Sequence, residues 1–595
     1  MANNACKPFA TSPTELKALP VAALASQADA IRHFLIEKIS ATGGHIGANL
    51  SVVEMTLAIH YVFDSPRDKI IFDTGHQGYT HKLVTGRMPA FDSLNTYRGM
   101  SRFIAREESE HDTIDASHAG TSISLSSGIA SALRSRDETA STVAVIGDGS
   151  LVEGMAFEAL NFAGSAQDLK LVLVLNDNEM AIAPSVGGVR NVTTGKDWQQ
   201  KSRHFFEGLG YQYIAVADGH DVEAVVKALE AAKQLARPCV VHLKTEKGRG
   251  LACAAGHPYK LHFSMPFDPV TGQGAAPTVA GKTYAVVLAE KLEGLMQKDG
   301  DIEVITPATP YASSLDKLFL TYPGRVIDVG MAEQHAVGMA CGLALEGKKP
   351  VVCMQTTFMQ RAFDQLLHDA CYMDLPVTVL GVRAGFAGYD GSTHHGLYDI
   401  PYLRSFPNMQ IIYPANSAEA EQVLAQRLAA PKGPMVILHP YEPILATEPA
   451  IGQMEPCGLS VAAEGQDGYL IALGNTLASA WELKSKLQQS GKDFGIICIQ
   501  SIKPFPEARL KELLLPGMDI VTLEESVLAG GLGTAVLETL SDADIRVRIL
   551  RTGVNDAFVR PGSKQECSQE AGISVAQIYE QIGQRWPEYL ETTHG

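Results

Sequence analysis

A chain of 595 residues is too long for one hydrophobic core, and 46% hydrophobic with 19% charged residues is the composition of a globular enzyme. A net charge of −17 without any basic stripe argues against nucleic acid and leaves an anionic substrate to be caught by a local focus of Arg and His. Nine scattered cysteines without a C-x-x-C pair, an N-terminus (MANNACKPFA) unlike a signal peptide and no run of about 18 apolar residues argue against a disulfide framework and a membrane span, and favour the cytoplasm.

Short apolar runs alternate with helical periods almost throughout, which predicts an α/β protein: three α/β domains in series, with mostly parallel sheets flanked by helices. The first, residues 1–250, has a strand in TVAVIGDGS (142–150), a helix from about Val152 to Ala163 and a strand in KLVLVLNDN (170–178). It closes on VVHLKTEKGRG near Gly250. Residues 251–282, rich in Gly, Ala, Pro and His, read as a linker. The second domain, 283–445, opens on the helical TYAVVLAEKLEGLMQ and has strands at 325–330, 350–355, 376–382, 409–415 and 434–439. The third, 446–595, has strands in YLIALG, FGIICIQ (494–500), DIVTLEES (519–526) and RVRILRTG (546–553).

In the first domain a strand runs into Gly147-Asp148-Gly149, and the next strand runs into Asn176-Asp177-Asn178. Open parallel sheets bind ligands at the carboxyl ends of their strands. The two glycines let a backbone approach a diphosphate, while Asp148 and Asn178 on adjacent strand ends offer Mg²⁺ a carboxylate and an amide oxygen. The main-chain carbonyl of Met180 is a further candidate ligand. A lone GDG is an ordinary glycine-rich turn, but followed at this spacing by NDN it resembles the signature of thiamine-diphosphate enzymes. Such a cofactor needs a carboxylic acid against its pyrimidine ring to set up proton removal from the thiazolium. Glu333, in MAEQHAV after the strand RVIDVG, has that context, although a Glu near a helix start is also an ordinary dipole partner. Phe358 could stack on the pyrimidine and Ile182 could support the thiazolium; both could equally be core.

Over nearly the whole chain these segments resemble the 1-deoxy-D-xylulose-5-phosphate synthase family. The likeness rests on GGHIGANLSVVE (43–54), KIIFDTGHQGYTHK (69–82), SHAGTSIS (117–124), NDNEMAI (176–182), AEQHAV (332–337) and RAGFAGYDGSTHHG (383–396). GHQGYTHK and DGSTHHG separate it from ordinary transketolases. The resemblance implies a transketolase-like fold and a homodimer using thiamine diphosphate and Mg²⁺. The reaction it implies condenses pyruvate with glyceraldehyde 3-phosphate, releases CO₂, and supplies isoprenoid, thiamine and pyridoxal precursors. It further implies a diphosphate-binding first domain and a pyrimidine-binding second one. His45, His76, His262, His394 and Asp390 would line the substrate end, four histidines converging from separate strand ends. Ser117, His118, Ala119, Gly149 and Ser150 would touch the cofactor, with Arg361 and Arg383 near the aldehyde acceptor. Each Arg alone could be a structural ion pair.

The chain departs from the family at several points. Gln355 stands where the family has Tyr, Tyr441 and Glu442 stand where it has Arg and Gly, and Leu251 replaces a Tyr after KGRG. Only a short stretch joins Val186 to Gly208, where the family is longer. Recognition of the acceptor phosphate is therefore expected to be weakened at Gln355 and Tyr441. A carboligase using pyruvate with another aldehyde, a transketolase-type ketol transferase and a non-catalytic cofactor-binding homologue are the alternatives.

Overall fold

The computed structural model describes residues 8–136, 138–274, 282–445, 448, 451 and 454–589. Residues 1–7 of the amino-terminal MANNACKPFA, and residues 275–281 of the expected linker, lie outside the described residues. Two compact units are formed: residues up to 274 together with Val329–Ala332, and residues from 282 onward without those four.

The first unit is built on strands β1 (Lys69–Phe72), β2 (Thr142–Gly147), β3 (Leu171–Asp177), β4 (Gln212–Val216) and β5 (Cys239–Lys244). All pair in parallel, in the order β1-β2-β3-β5-β4. Apolar runs as continuous as LVLVLND suit strands covered on both faces, and every residue of β3 is buried. Alternate side chains feed two cores: Val143, Val145, Val172 and Val174 on one face, and Ala144, Ile146, Leu173 and Leu175 on the other. The register pairs Gly147 with Asn176 and Asp177 with Lys244, so Asp148 and Asn178 leave adjacent strand ends.

The second unit contains two sheets. Strands β6 (Ile302–Thr306), β7 (Val326–Asp328), β8 (Lys349–Gln355), β9 (Thr378–Ala384), β10 (Gln410–Ile412) and β11 (Met435–Pro440) belong to one. The other consists of β12 (Leu459–Ala463), β13 (Gly468–Leu473), β14 (Phe494–Ile499), β16 (Asp519–Val527) and β17 (Arg548–Val554). Between β14 and β16 lies β15 (Ser501–Lys503), which leaves the third stretch and pairs antiparallel with β10, giving the order β15-β10-β11-β9-β8-β6-β7. The third sheet runs β12-β14-β13-β16-β17, with only β12 antiparallel among its described pairs. The fold class is thus the expected one, three serial transketolase-like α/β sheets flanked by helices.

Strands β1, β4, β6, β12 and β15 were not expected. They have 3 to 5 residues, all but β6 lie at sheet edges, and β4 keeps an exposed end. Residues 251–274 of the expected linker pack into the first unit. Leu251, Leu261 and Phe267 join its core, and Gly44 and Ser264 exchange backbone hydrogen bonds of 2.8 and 2.9 Å. Among the described residues no helix is long and apolar enough to cross a membrane, and the eight cysteines are free.

Candidate functional site

Asp148 opens a short helix at the end of β2 and is buried. Its Oδ2 accepts from Ser185 Oγ at 2.6 Å and its Oδ1 from Asn178 N at 3.4 Å. No ion pair reaches it among the described residues, and burial lifts its carboxyl to about 6, with the Asp177 charge adding to the shift. Asp177 is held differently: His242 at 2.8 Å and Lys244 at 3.0 Å overcome its burial and keep its carboxyl low. The Asn178 amide oxygen accepts from Met180 N at 3.2 Å, so these two expected ligands share the turn after β3, and the Asn178 amide joins that turn to Asp148 at the end of β2. A Cβ on Gly149 would stand 2.6 Å from Ala181, whereas one on Gly147 would meet nothing closer than 3.9 Å. A side chain would be tolerated at the first glycine, in ordinary contact with Gln77 and Asn176, whereas the second permits the Ala181 loop to close in.

Ser117, His118 and Ala119 precede Gly120, whose amide donates to both Asp73 oxygens at 2.9 and 3.1 Å. Gly120 has φ +86°, and a Cβ there would lie 2.1 Å from Glu153 Oε2. Upstream, the segment is anchored by Asp112, which takes both Arg87 nitrogens at 2.6 and 2.8 Å and His81 Nε2 at 2.7 Å. The short stretch after Val186 forms the helices Gly188–Thr193 and Trp198–Gly208. Lys244 ties it to the strand ends, reaching Glu179 at 3.0 Å and the Thr193 carbonyl at 3.1 Å.

His45, His76 and His262 meet, with ring centroids 5.2 to 5.5 Å apart. The expectation that they come from separate strand ends is not met by all three. His76 follows β1, but His45 precedes the helix Ile46–Leu50 and His262 is carried in beside it by the Gly44–Ser264 bridge. The Nδ1 atoms of His76 and His262 are shut from water without a hydrogen-bond partner. Burial, reinforced by Lys247, pushes His76 down to about 3 and His262 well below its ordinary value, so both rings are neutral. Lys247 was missed in the sequence, where a lysine in EKGRG gives no sign of burial. Its Nζ donates to the carbonyls of Ala181 and Ile182, and burial lowers its ammonium to about 7. Ser185 and Asp73 were missed for the same reason.

In the second unit Glu333 is buried as the first residue of the helix Glu333–Leu345. Phe358 meets His394 edge-on at 5.7 Å. Gln355 ends β8 with its Oε1 buried and unpartnered, and Arg361 lies half-buried in the turn Gln360–Ala362. At the end of β9 the Arg383 guanidinium pairs with Asp390 and lies 4.4 Å from the centre of the Tyr441 ring. Asp390 is thereby bound to an arginine and does not stand alone as an acid or base. Tyr311, missed in the sequence, lies in the field of the same group.

The chain resembles known proteins along most of its length. The family model described as 1-deoxy-D-xylulose-5-phosphate synthase matches residues 9–202 and 194–245. Those for the transketolase pyrimidine binding domain and the transketolase C-terminal domain match 280–442 and 459–578. The 1-deoxy-D-xylulose-5-phosphate synthase of Thermomicrobium roseum is 39% identical, with 98% of this chain and 97% of the relative covered. That of Shouchella clausii is 38% identical, covering 92% and 94%. A solved transketolase from Campylobacter jejuni is 18% identical, covers 95% of this chain and all of its own, and has a TM-score of 0.44. Likeness of this extent and identity admits one assignment: the chain belongs to the 1-deoxy-D-xylulose-5-phosphate synthase family.

Proposed function

We infer that this chain is a transferase that condenses pyruvate with glyceraldehyde 3-phosphate to 1-deoxy-D-xylulose 5-phosphate and CO₂, with thiamine diphosphate as its cofactor. The observation that carries the reading is the match to synthases of that name over 98% of the chain. The residues fit the cofactor. A buried Asn176 Nδ2 without a partner and two unpartnered histidine nitrogens, on His76 and His262, leave polar groups for a ligand to satisfy. They fit Mg²⁺ as well, because a carboxylate as buried as Asp148, with no ion pair, gains from a cation. Among the described residues no three His, Cys, Asp or Glu converge on a metal site. The proposed set is instead the Asp148 carboxylate, the Asn178 amide oxygen and the Met180 carbonyl, completed by diphosphate.

When bound, thiamine diphosphate supplies the electron sink that lets pyruvate lose CO₂. Glu333 holds the proton exchanged with the pyrimidine ring nitrogen. Neutral His76 and His262, with His45 beside them, offer N–H donors to substrate oxygens without adding fixed charge, and His394 is a donor of the same kind in the second unit. Arg383 receives the aldehyde phosphate, with Arg361 as a second cation. Ser117, His118, Ala119, Gly149 and Ser150 line the cofactor, while Ile182 and Phe358 pack on its rings. Leu125, Phe157 and Phe162 stay exposed on the touching helices Ser122–Ser135 and Gly154–Ser165, which supports a homodimer through this face. Scattered free thiols support a cytoplasmic location.

The test is incubation with [1-¹⁴C]pyruvate, glyceraldehyde 3-phosphate, thiamine diphosphate and Mg²⁺. Stoichiometric ¹⁴CO₂ and a deoxyxylulose phosphate detected by mass spectrometry are expected. Turnover of xylulose 5-phosphate without CO₂ would instead make the chain a ketol transferase.

A further inference from the structure

An ionic tie in the second unit joins the turn after β11 to β16 and to the carboxyl-terminal stretch, and no sequence motif predicts it. Lys564 opens the helix Lys564–Glu570, whose start is fixed by a capping box of Ser563 with Glu566. Its ammonium lies 2.7 Å from Glu442 Oε2 and 2.9 Å from Glu525 Oε1. Glu442 follows Tyr441 after β11, and Glu525 lies near the end of β16. The other Glu525 oxygen accepts from Asn475 Nδ2 at 2.8 Å and from Phe386 N at 3.4 Å.

The turn from Gly385 to Asp390 is held from both sides by these groups. Gly385 has φ +80°, and a Cβ there would stand 2.4 Å from Glu525 Oε2. One on Gly388 would stand 3.2 Å from the Tyr441 ring. Gly562 N donates to the Gly388 carbonyl at 3.1 Å, and the Tyr389 hydroxyl donates to Glu566 Oε2 at 2.8 Å. Burial alone would lower the Lys564 ammonium, but Glu525 and Glu442 outweigh it and hold it above its ordinary value. Without that cation two carboxylates would face each other, one of them almost fully buried.

We propose that Lys564 is a positioning residue for the aldehyde: by holding Glu442 and Glu525 together, it fixes the turn 385–390 and the Tyr441 ring against which the Arg383 guanidinium lies. The identity of the aldehyde rests on the functional reading above; the tie itself does not. Full-length holoenzyme carrying Lys564→Met is compared with wild type by steady-state kinetics and by hydrogen exchange of peptides spanning 383–396. KM for glyceraldehyde 3-phosphate should rise about tenfold, the order for one lost charge-assisted contact. kcat should change less than about twofold, and exchange over 385–390 should speed up. Lys564→Arg should restore both. Should Lys564→Met fold poorly, Glu442→Gln, which breaks one arm only, should give the same changes at smaller size. Unaltered aldehyde KM in a folded variant overturns the proposal, as does faster exchange unaccompanied by any change in KM. A wild type inactive on this aldehyde overturns the functional reading instead, and the exchange comparison then still decides the tie.

Discussion

Asp148 shows how a buried charge couples cofactor binding to pH. Its carboxyl is raised from 3.8 to about 6. Between these values the folded protein keeps a proton that the unfolded chain releases, so this group's contribution to stability is lost as pH rises through about 6. A cation must displace the same proton. Affinity for Mg²⁺ with thiamine diphosphate, measured by calorimetry, should therefore climb up to about tenfold per pH unit below 6 and level off above it. Asp148→Ala should abolish binding, and normal affinity in that variant would remove Asp148 from the metal site. The Tyr441 ring lies against Arg383. Y441R exchanges that ring for a second cation beside Asp390 and should lower KM for glyceraldehyde 3-phosphate about tenfold. An unchanged KM would assign the phosphate to other residues. That Asp148 and Asn178 leave adjacent strand ends and that Glu333 opens a helix after a strand was legible because GDG, NDN and AEQH keep a motif spacing. Lys247, Ser185 and Tyr311 were not, because their significance lies in burial and in contacts with segments distant in sequence.

At the scale of elements, the turns that carry the site depend on glycines placed against carboxylates. Gly120 is the sharpest case, with φ +86° and Glu153 where a side chain would go. Gly120→Ala should destabilise the protein by about 1–3 kcal/mol in urea unfolding, through backbone strain and displacement of Glu153. Cofactor affinity should fall with it, since Ser117, His118 and Ala119 lie just before this turn. Wild-type stability in the variant would show that the turn relaxes freely. Long apolar runs such as TVAVIG and LVLVLND were readable as strands because buried parallel strands need unbroken hydrophobicity. The three-residue β15 offers no such run. Nor does the Gly- and Pro-rich composition of 251–274 reveal that Leu261 and Phe267 anchor it in a core, which is how His262 reaches His45.

For the whole molecule, the order of three α/β sheets was legible because each begins a new alternation of strand and helix. Their grouping into two compact units was not, because it depends on where β15 goes. That strand covers the outer side of β10, and Lys503 donates from it to the carbonyls of Arg404 and Phe406 at 2.7 and 2.5 Å. A truncation before residue 459 would uncover a sheet edge whose N–H and C=O groups are ready to pair with another copy. Such a shortened protein should self-associate on refolding, visible as rising light scattering. A clear, monodisperse solution would mean that β10 needs no cover. Three residues borrowed from the last third of the chain thus protect the middle third from misassembly, and make early termination of translation a source of aggregates rather than of a shorter enzyme.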